Sequence, residues 1–138
     1  MGIKQISVFL ENTTGRLGEV TKTLAQGQIN IRAISIADTA DFGILRLIVN
    51  DYEGAVKALN SAGFTTRLSD VAAVEIDDSP GSLAKVMELF QNIRVNIEYL
   101  YASLEGKAGK AVVIFKLEDH RRGLEVIKQN GLSMVETF

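Results

Sequence analysis

The chain has 138 residues, 46% of them hydrophobic, a formal net charge of −2 at pH 7 and no cysteine. This length can bury a sizeable core, and the near-neutral charge gives no general attraction to nucleic acid or to anionic membranes. Disulfides and thiolate metal sites are excluded. No apolar run approaches the ~20 residues of a membrane span, so we expect a soluble, cytoplasmic protein without a cofactor.

The elements of the first half follow a regular order. Residues 3–10 alternate between apolar and polar positions, which predicts a strand covered on one face. A glycine turn at Gly15 then opens a helical pattern through Leu24. Strand-like segments follow at residues 29–37 and 44–49. A second helix ending before Gly63 and a last strand at residues 64–68 complete this half.

The second half repeats this order. Strand patterns cover residues 71–76, 95–102, 111–117 and 132–136, with helical spacing after Gly81 and again before Gly131. Pro80 is expected at the first helical position, and Ser79 and Thr13 are expected as N-caps. Only Ser69-Asp70 separates the strand patterns of the two halves.

The offset between the copies is constant along most of their length. Gly15 and Gly81 lie 66 positions apart, whereas Gly63 and Gly131 lie 68 apart, which predicts two extra residues near positions 117–119. Self-similarity at a fixed period indicates copies of one supersecondary unit. We therefore predict two domains, residues 1–69 and 70–138. The 66-residue offset also relates Leu17 to Leu83, Asn30 to Asn96, Ile31 to Ile97, and Gly43 to Gly109.

Each copy has the order β-α-β-β-α-β. This order predicts a ferredoxin-like α+β module with four antiparallel strands and both helices on one face of the sheet. The fold class predicted for the whole chain is two such modules in tandem.

The sequence offers little enzyme chemistry. His120 is the only histidine, we expect it in a solvated loop, and no serine or cysteine pairing suggests a triad. Residues 106–111 carry glycines and lysines but lack the spacing of a phosphate loop, so we predict a β-turn there. Residues 44–49 lack the aromatic residues that RNA-binding sheets use for stacking. We predict no catalytic site, no metal site and no nucleic-acid partner.

Two repeated motifs carry a family resemblance. Each second strand begins with an Asn-Ile pair, Asn30-Ile31 and Asn96-Ile97. The glycine turn reads Asn12-Thr13-Thr14-Gly15-Arg16-Leu17 in the first copy and Asp78-Ser79-Pro80-Gly81-Ser82-Leu83 in the second. In register with two βαββαβ patterns, these motifs resemble the ACT domain family over essentially the whole chain. The first copy departs from the family at Thr14, where proline is usual.

The resemblance implies a non-catalytic regulatory protein that binds a free amino acid at the interface between ACT domains. It also implies a homodimer and an enzyme of amino-acid metabolism as the regulated partner. A helix start with bare backbone N–H groups suits a carboxylate. The implied ligand-binding residues are Asn12, Thr13, Gly15, Arg16, Leu17, Asn30 and Ile31 in the first copy, and Asp78, Ser79, Gly81, Ser82, Leu83, Asn96 and Ile97 in the second.

The sequence also allows other interpretations. The glycines can serve only to relieve a tight turn, and Leu17 and Leu83 are expected mainly in the core. The acidic pair Asp77-Asp78 favours a ligand with a polar or cationic side chain. The alternative function is a ligand-free interaction module, with Phe9, Tyr99 and Tyr101 as its anchors.

Overall fold

The structure, a computed structural model, describes residues 2–38, 41–104 and 106–138. Four helices and seven strands occur in these ranges. No helix in the same ranges is long and apolar enough to cross a membrane. In chain order the elements are β1 (Ile3–Glu11), α1 (Arg16–Gln26), β2 (Ile31–Asp38), β3 (Phe42–Val49), α2 (Tyr52–Ser61), β4 (Thr65–Asp77), α3 (Ser82–Asn92), β5 (Ile97–Ala102), β6 (Lys110–Leu117), α4 (His120–Gln129) and β7 (Ser133–Val135).

The chain forms two compact units. The first unit is Lys4–Ser69 with Phe138, and the second unit is Asp70–Thr137 with Gly2 and Ile3. In the first unit β3 lies between β2 and β1, antiparallel to both, and β4 follows β1 in the sheet order. In the second unit the order is β5-β6-β4-β7, with every pair antiparallel. The predicted α+β fold of two ferredoxin-like modules is confirmed.

The core of the first unit lies between its helices and one face of its sheet. Alternate residues of β1 point toward the helices, as the two-residue period of a strand requires. Burying one face of each element against the other removes apolar surface from water, which is the main favourable term in folding. The core comprises Ile6, Val8, Leu10, Val20, Leu24, Ile29, Leu45, Leu47, Val49, Ala55, Leu59 and Phe64.

The core of the second unit repeats this arrangement around a pair of aromatic rings. Phe90 of α3 and Phe115 of β6 meet edge to face, with ring centroids 5.2 Å apart. Such aromatic pairs add roughly 0.5–1.5 kcal/mol beyond the area they bury. Around them pack Ala72, Val74, Val86, Val95, Val113, Leu117, Leu124, Val126 and Ile127.

The strand break predicted at Ser69-Asp70 is wrong. β4 runs without interruption from Thr65 to Asp77 and contributes residues to both units. Ser and Asp disfavour strands only weakly, and here the neighbouring backbone continues the extended conformation through them.

The register of the strands corrects the position of the two-residue insertion. Ile31 pairs with Val49 and Ile97 with Leu117, so the offset between copies is already 68 in β6. The extra residues therefore lie between β5 and β6 and not near residues 117–119. Gly43 in consequence corresponds to Ala111, because these residues pair with Leu10 and Ile76.

The repeat extends to local backbone detail. Both second strands carry a register shift, at Ile31/Ala33 and at Ile97/Tyr99. Gln28 and Arg94, which lie 66 positions apart, both have left-handed backbone conformations, with φ of 57° and 56°. We use "counterpart" below for residues at the same register position of the two units.

The predicted helix-ending glycines are confirmed. Gly63 and Gly131 follow the last helical residues and have positive φ values of 90° and 68°. This left-handed conformation after a helix favours glycine, which has no Cβ to clash with the preceding turn.

Candidate functional site

The two repeated glycine turns have the same backbone geometry. Gly15 and Gly81 both have φ 89°, with ψ −13° and −12°, and each is the N-cap of its helix. The predicted N-caps Thr13 and Ser79 are therefore wrong, and Pro80 precedes the helix instead of starting it. The left-handed conformation explains why glycine stands there. A Cβ built on either glycine meets nothing within 4 Å, so the space beside each turn is open.

The helices that follow these turns begin without side-chain caps. Neither α1 nor α3 has a side-chain hydrogen bond at its N-cap. By contrast, Asp51 accepts from the Gly54 amide at the start of α2, and Asp119 accepts from the Arg122 amide at the start of α4. Of the four helices in the described part of the chain, α2 and α4 thus have a side-chain cap, whereas α1 and α3 at the repeated turns have none.

Several backbone amides at the repeated turns lack acceptors. Within the described ranges, no hydrogen bond involves the amides of Leu17 and Gly18 in α1. The amides of Leu83 and Ala84 in α3 are equally without an acceptor there. Such amides, together with the positive end of the helix dipole, favour a bound anion.

The polar residues before each glycine are solvent-exposed. The Asn12 amide donates to the Asp41 carbonyl, and the Asp78 amide donates to the Gly109 carbonyl, each at 2.9–3.0 Å. These bonds tie each turn to the start of the neighbouring strand, β3 or β6. The side chain of Ser79 hydrogen-bonds to that of Ser82 over 2.9 Å. Thr13 is exposed as well.

The two turns differ in the residue after the glycine. Arg16 forms an ion pair with Glu19 over 2.7 Å and lies over the ring of Phe64. Its counterpart Ser82 carries no charge. Leu17 is 42% exposed, so its expected core position is wrong, whereas Leu83 is partly buried against the core of the second unit.

The Asn-Ile pairs lie far from the glycine turns of their own unit. Ile31 pairs with Val49 at one end of β3, while Glu11, next to the turn, pairs with Phe42 at the other. Seven residue steps separate Phe42 from Val49, which is roughly 23 Å at strand spacing. In the second unit Asn96 and Ile97 are separated in the same way from Gly81. Ile31 and Ile97 are partly buried on their cores, and Asn30 and Asn96 are exposed.

A cleft of about 250 Å³ lies beside the start of α3. All its lining residues belong to the second unit, and Ser82 is the predicted site residue among them. One wall is the end of β4, the second is the first two turns of α3, and the third is the segment that enters β7.

An ion pair closes the strand end of this cleft. Lys110 of β6 donates to Asp77 of β4, its register partner. The hydrogen bond and the positive charge of Lys110 lower the pKa of Asp77, and Asp77 in turn raises the pKa of Lys110. One carboxylate of the Asp77-Asp78 pair is thus already neutralised by the protein itself.

His120 does not lie in a loop. It is the first residue of α4 and is half-buried, and a Cβ on Gly2 would come within 2.8 Å of its ring. No group of three or more His, Cys, Asp or Glu residues in the described ranges is arranged to hold a metal ion.

The fold and the two glycine turns together define a class of protein. Its members consist of small ferredoxin-like modules in tandem, and several backbone N–H groups at the helix starts after the glycine turns have no acceptor among the described residues. The chain belongs to the ACT domain family, because residues 1–137 match the family described as an ACT domain pair. The resemblance drawn from the turn and Asn-Ile motifs is confirmed.

Solved structures show the same architecture. A protein from Bacteroides thetaiotaomicron is 40% identical with a TM-score of 0.92, over 98% of this chain and 92% of that one. The ligand-free regulatory subunit of aspartate kinase from Thermus thermophilus is 20% identical with a TM-score of 0.70, over 95% of this chain and 94% of that one. E. coli aspartokinase III in complex with lysine and aspartate is 14% identical with a TM-score of 0.50, over 91% of this chain and 30% of that one. No curated protein matches the chain.

Proposed function

We propose that this protein is a non-catalytic, cytoplasmic sensor that binds a free amino acid and regulates an enzyme of amino-acid metabolism. Its two ACT domains correspond to residues 1–69 and 70–138. One observation carries the proposal: the helices at Gly15 and Gly81 start without caps beside open space, while α2 and α4 are capped by Asp51 and Asp119.

The chemistry of these turns suits the carboxylate of an amino acid. Two neighbouring amides without acceptors, at Leu83 and Ala84, can each donate to one carboxylate oxygen. Hydrogen bonds to a charged group contribute about 1.5–3 kcal/mol each, so the pair is worth a substantial part of a small-molecule affinity. The exposed side chain of Asp78 stands next to the turn and can accept from the ammonium group.

The proposed site needs a second module to be complete. The Asn-Ile pairs lie roughly 23 Å from the glycine turn of their own unit at strand spacing. A turn and an Asn-Ile pair can therefore meet only if they come from different modules, as in a homodimer of this chain. This supports the binding mode that the family resemblance implies, with the ligand at an interface between ACT domains.

The structural neighbours support the regulatory part of the proposal. One is a regulatory subunit of aspartate kinase, and another is an aspartokinase bound to lysine and aspartate. At identities of 20% and 14%, these neighbours establish a shared fold only. Which amino acid this chain binds depends on its own residues.

Removing one open amide tests the proposal. Proline has no N–H and is tolerated in the first turn of a helix, so Ala84→Pro deletes a donor without breaking an intrahelical bond. Each of the twenty L-amino acids is first screened for a rise in melting temperature of the wild type. We expect a selective rise for one or a few of them, and an affinity loss of about tenfold for Ala84→Pro by calorimetry.

A matched control is available in α2. Glu53→Pro removes an amide from the first turn of a helix that Asp51 already caps at Gly54, and it should leave the affinity unchanged. Flat melting curves for all twenty amino acids would refute the sensor proposal. Equal losses in Ala84→Pro and Glu53→Pro would show that the effect is on stability and not on the ligand.

A surface of the first unit favours a second candidate, the ligand-free interaction module. Phe9 of β1 is 41% exposed and Phe42 of β3 is 59% exposed. Phe9 pairs with Ile44 and Phe42 pairs with Glu11, so the two aromatic residues lie diagonally across neighbouring strands. Tyr101, predicted as an anchor, is buried, and Tyr99 is half-buried. Replacing Phe9 and Phe42 with serine should abolish capture of a regulated enzyme in the absence of amino acids if this candidate is correct.

A further inference from the structure

The cleft beside α3 is lined by residues of the second unit alone, and three of its lining positions carry different residues in the first unit. We infer that only the second unit binds a ligand, in this cleft, and that Arg16 occupies the corresponding place in the first unit. The inference rests on the proposed amino-acid-binding function and narrows it to one site per chain.

The register identifies the counterparts of the cleft residues. Leu132 corresponds to Phe64, because each directly follows the left-handed glycine after the second helix of its unit. The Leu132 amide donates to the Ile127 carbonyl, just as the Phe64 amide donates to the Leu59 carbonyl. In the helix wall, Ser82 and Lys85 correspond to Arg16 and Glu19 at the offset of 66. In the first unit, Arg16, Glu19 and Phe64 therefore stand at positions equivalent to three residues that line the cleft.

Arg16 contacts both of the other two residues. The guanidinium carbon of Arg16 lies 4.6 Å from the centre of the Phe64 ring, and Nη1 lies 2.7 Å from the Glu19 carboxylate. The Arg16 Nε is buried and makes no hydrogen bond. A long side chain thus spans from the start of α1 to the start of β4, across the place where the second unit has its opening.

At the same positions the second unit has a shorter side chain, Ser82, and a side chain of opposite charge, Lys85. Ser82 cannot span the gap, and Lys85 in place of Glu19 offers no partner for a cation. The positive charge of Lys85 acts on Asp77 and contributes, after that of Lys110, to lowering the pKa of this carboxyl. Because helical side chains lean toward the helix N-terminus, its ammonium group adds positive charge near the open amides.

The cleft itself points to the class of ligand. Its volume of about 250 Å³ is below the roughly 300–1,000 Å³ of pockets for drug-sized molecules, so it suits a compact metabolite. Its apolar lining consists of Ile76, Val86, Leu89 and Leu132, and its charged lining consists of Glu75, Asp77, Lys85 and Lys110. The positive end of α3 with Lys85 favours a carboxylate. The geometry points to an amino acid with a compact apolar side chain.

This ligand class differs from the polar or cationic one that the Asp77-Asp78 pair favours at the sequence level. Lys110 satisfies Asp77 inside the second unit, so this carboxylate is not available as the main partner of a cationic side chain.

Transferring two residues of the first unit, Arg16 and Glu19, to the equivalent positions of the second unit tests the inference. The double variant Ser82→Arg/Lys85→Glu places the Arg16–Glu19 pair at the mouth of the cleft. Using the L-amino acid that gives the largest rise in wild-type melting temperature, we expect calorimetry to show one ligand per chain. We expect the double variant to weaken binding by more than tenfold, and Lys85→Gln alone to weaken it severalfold while the fold is retained.

The control has the same net charge change and a similar helical spacing, on exposed residues of α2 in the first unit. Lys57→Glu/Ser61→Arg alters two exposed positions of α2 and should leave affinity and stoichiometry unchanged. Two ligands per chain, or unchanged affinity in both the double variant and Lys85→Gln, would overturn the inference while leaving the sensor proposal intact. Absence of binding by all twenty amino acids to the wild type would instead refute the sensor proposal itself.

Discussion

The guanidinium group of Arg16 lies over the face of Phe64, with 4.6 Å between the guanidinium carbon and the ring centre. These residues come from the start of α1 and the entry to β4, which are 48 positions apart in the sequence. Their contact joins the helix wall to the strand wall of the first unit. In the second unit Ser82 and Leu132 stand at these positions and leave a cleft.

We predict that Arg16→Ala lowers the free energy of unfolding by about 1 kcal/mol. A partly exposed cation–π contact contributes roughly 0.5–1 kcal/mol, and an exposed i,i+3 ion pair adds a few tenths. Chemical denaturation measures the change. Arg121→Ala is the matched control, since it removes a comparable exposed pair with Glu125 but no ring contact, and it should cost less than half as much. Equal costs would show that Phe64 contributes nothing.

The glycine turns predict opposite effects for two neighbouring substitutions. Gly15→Ala should destabilise the protein by about 1 kcal/mol, because its φ of 89° places an L-residue in the left-handed region. Gly18→Ala should stabilise it by about 0.5–1 kcal/mol, since Gly18 is helical and a Cβ there meets nothing within 4 Å. Thermal denaturation of both variants gives the signs directly. A stabilising Gly15→Ala would mean that the turn is not left-handed in solution.

Much of the fold follows from patterns that are local in sequence. Alternation in residues 3–10 predicts β1, helical spacing predicts the four helices, and the glycines at 63 and 131 mark where two of them end. The repeated turn and the Asn-Ile pairs are sufficient to indicate the ACT family. These features depend on periodicity and on single backbone conformations, which the sequence shows directly.

The features that could not be predicted depend on contacts between distant segments. The continuity of β4 through Ser69-Asp70 depends on pairing with neighbouring strands, and the position of the insertion depends on register. Leu17 has the spacing of a core residue but is exposed. The contact of Arg16 with Phe64 joins distant segments of the chain, and no local signal in the sequence predicts it.

The Asp77–Lys110 pair predicts a pH effect with a definite sign. Lys110 lowers the pKa of Asp77 below 3.8, so the folded state favours the ionised carboxylate. The stabilisation is present above the unfolded pKa and is lost as the pH falls through the folded pKa. NMR titration of the Asp77 carboxyl should show its pKa rising toward 3.8 in Lys110→Gln. Lys107→Gln, at an exposed residue in the adjacent turn, should leave it unchanged.

At one of the positions where the two cores differ, the second unit has glycine in place of alanine. A Cβ on Gly123 of α4 would lie 2.1 Å from the Cδ1 atom of Leu117, so Gly123→Ala requires the buried leucine to move. The counterparts in the first unit are Ala55 and Val49, where a smaller strand residue faces a larger helix residue. We predict that Gly123→Ala costs about 1–3 kcal/mol despite the better helix propensity of alanine.

The same comparison predicts a rescue. Leu117→Val alone should cost about 1 kcal/mol, since it removes a buried methylene group. In the double variant Gly123→Ala/Leu117→Val the added methyl group fills the space that the shorter side chain leaves, as Ala55 and Val49 do in the first unit. A double-mutant cycle by chemical denaturation should therefore give a favourable coupling of about 1 kcal/mol or more. Additive costs would show that the backbone of α4 relaxes and that Leu117 does not limit the residue at position 123.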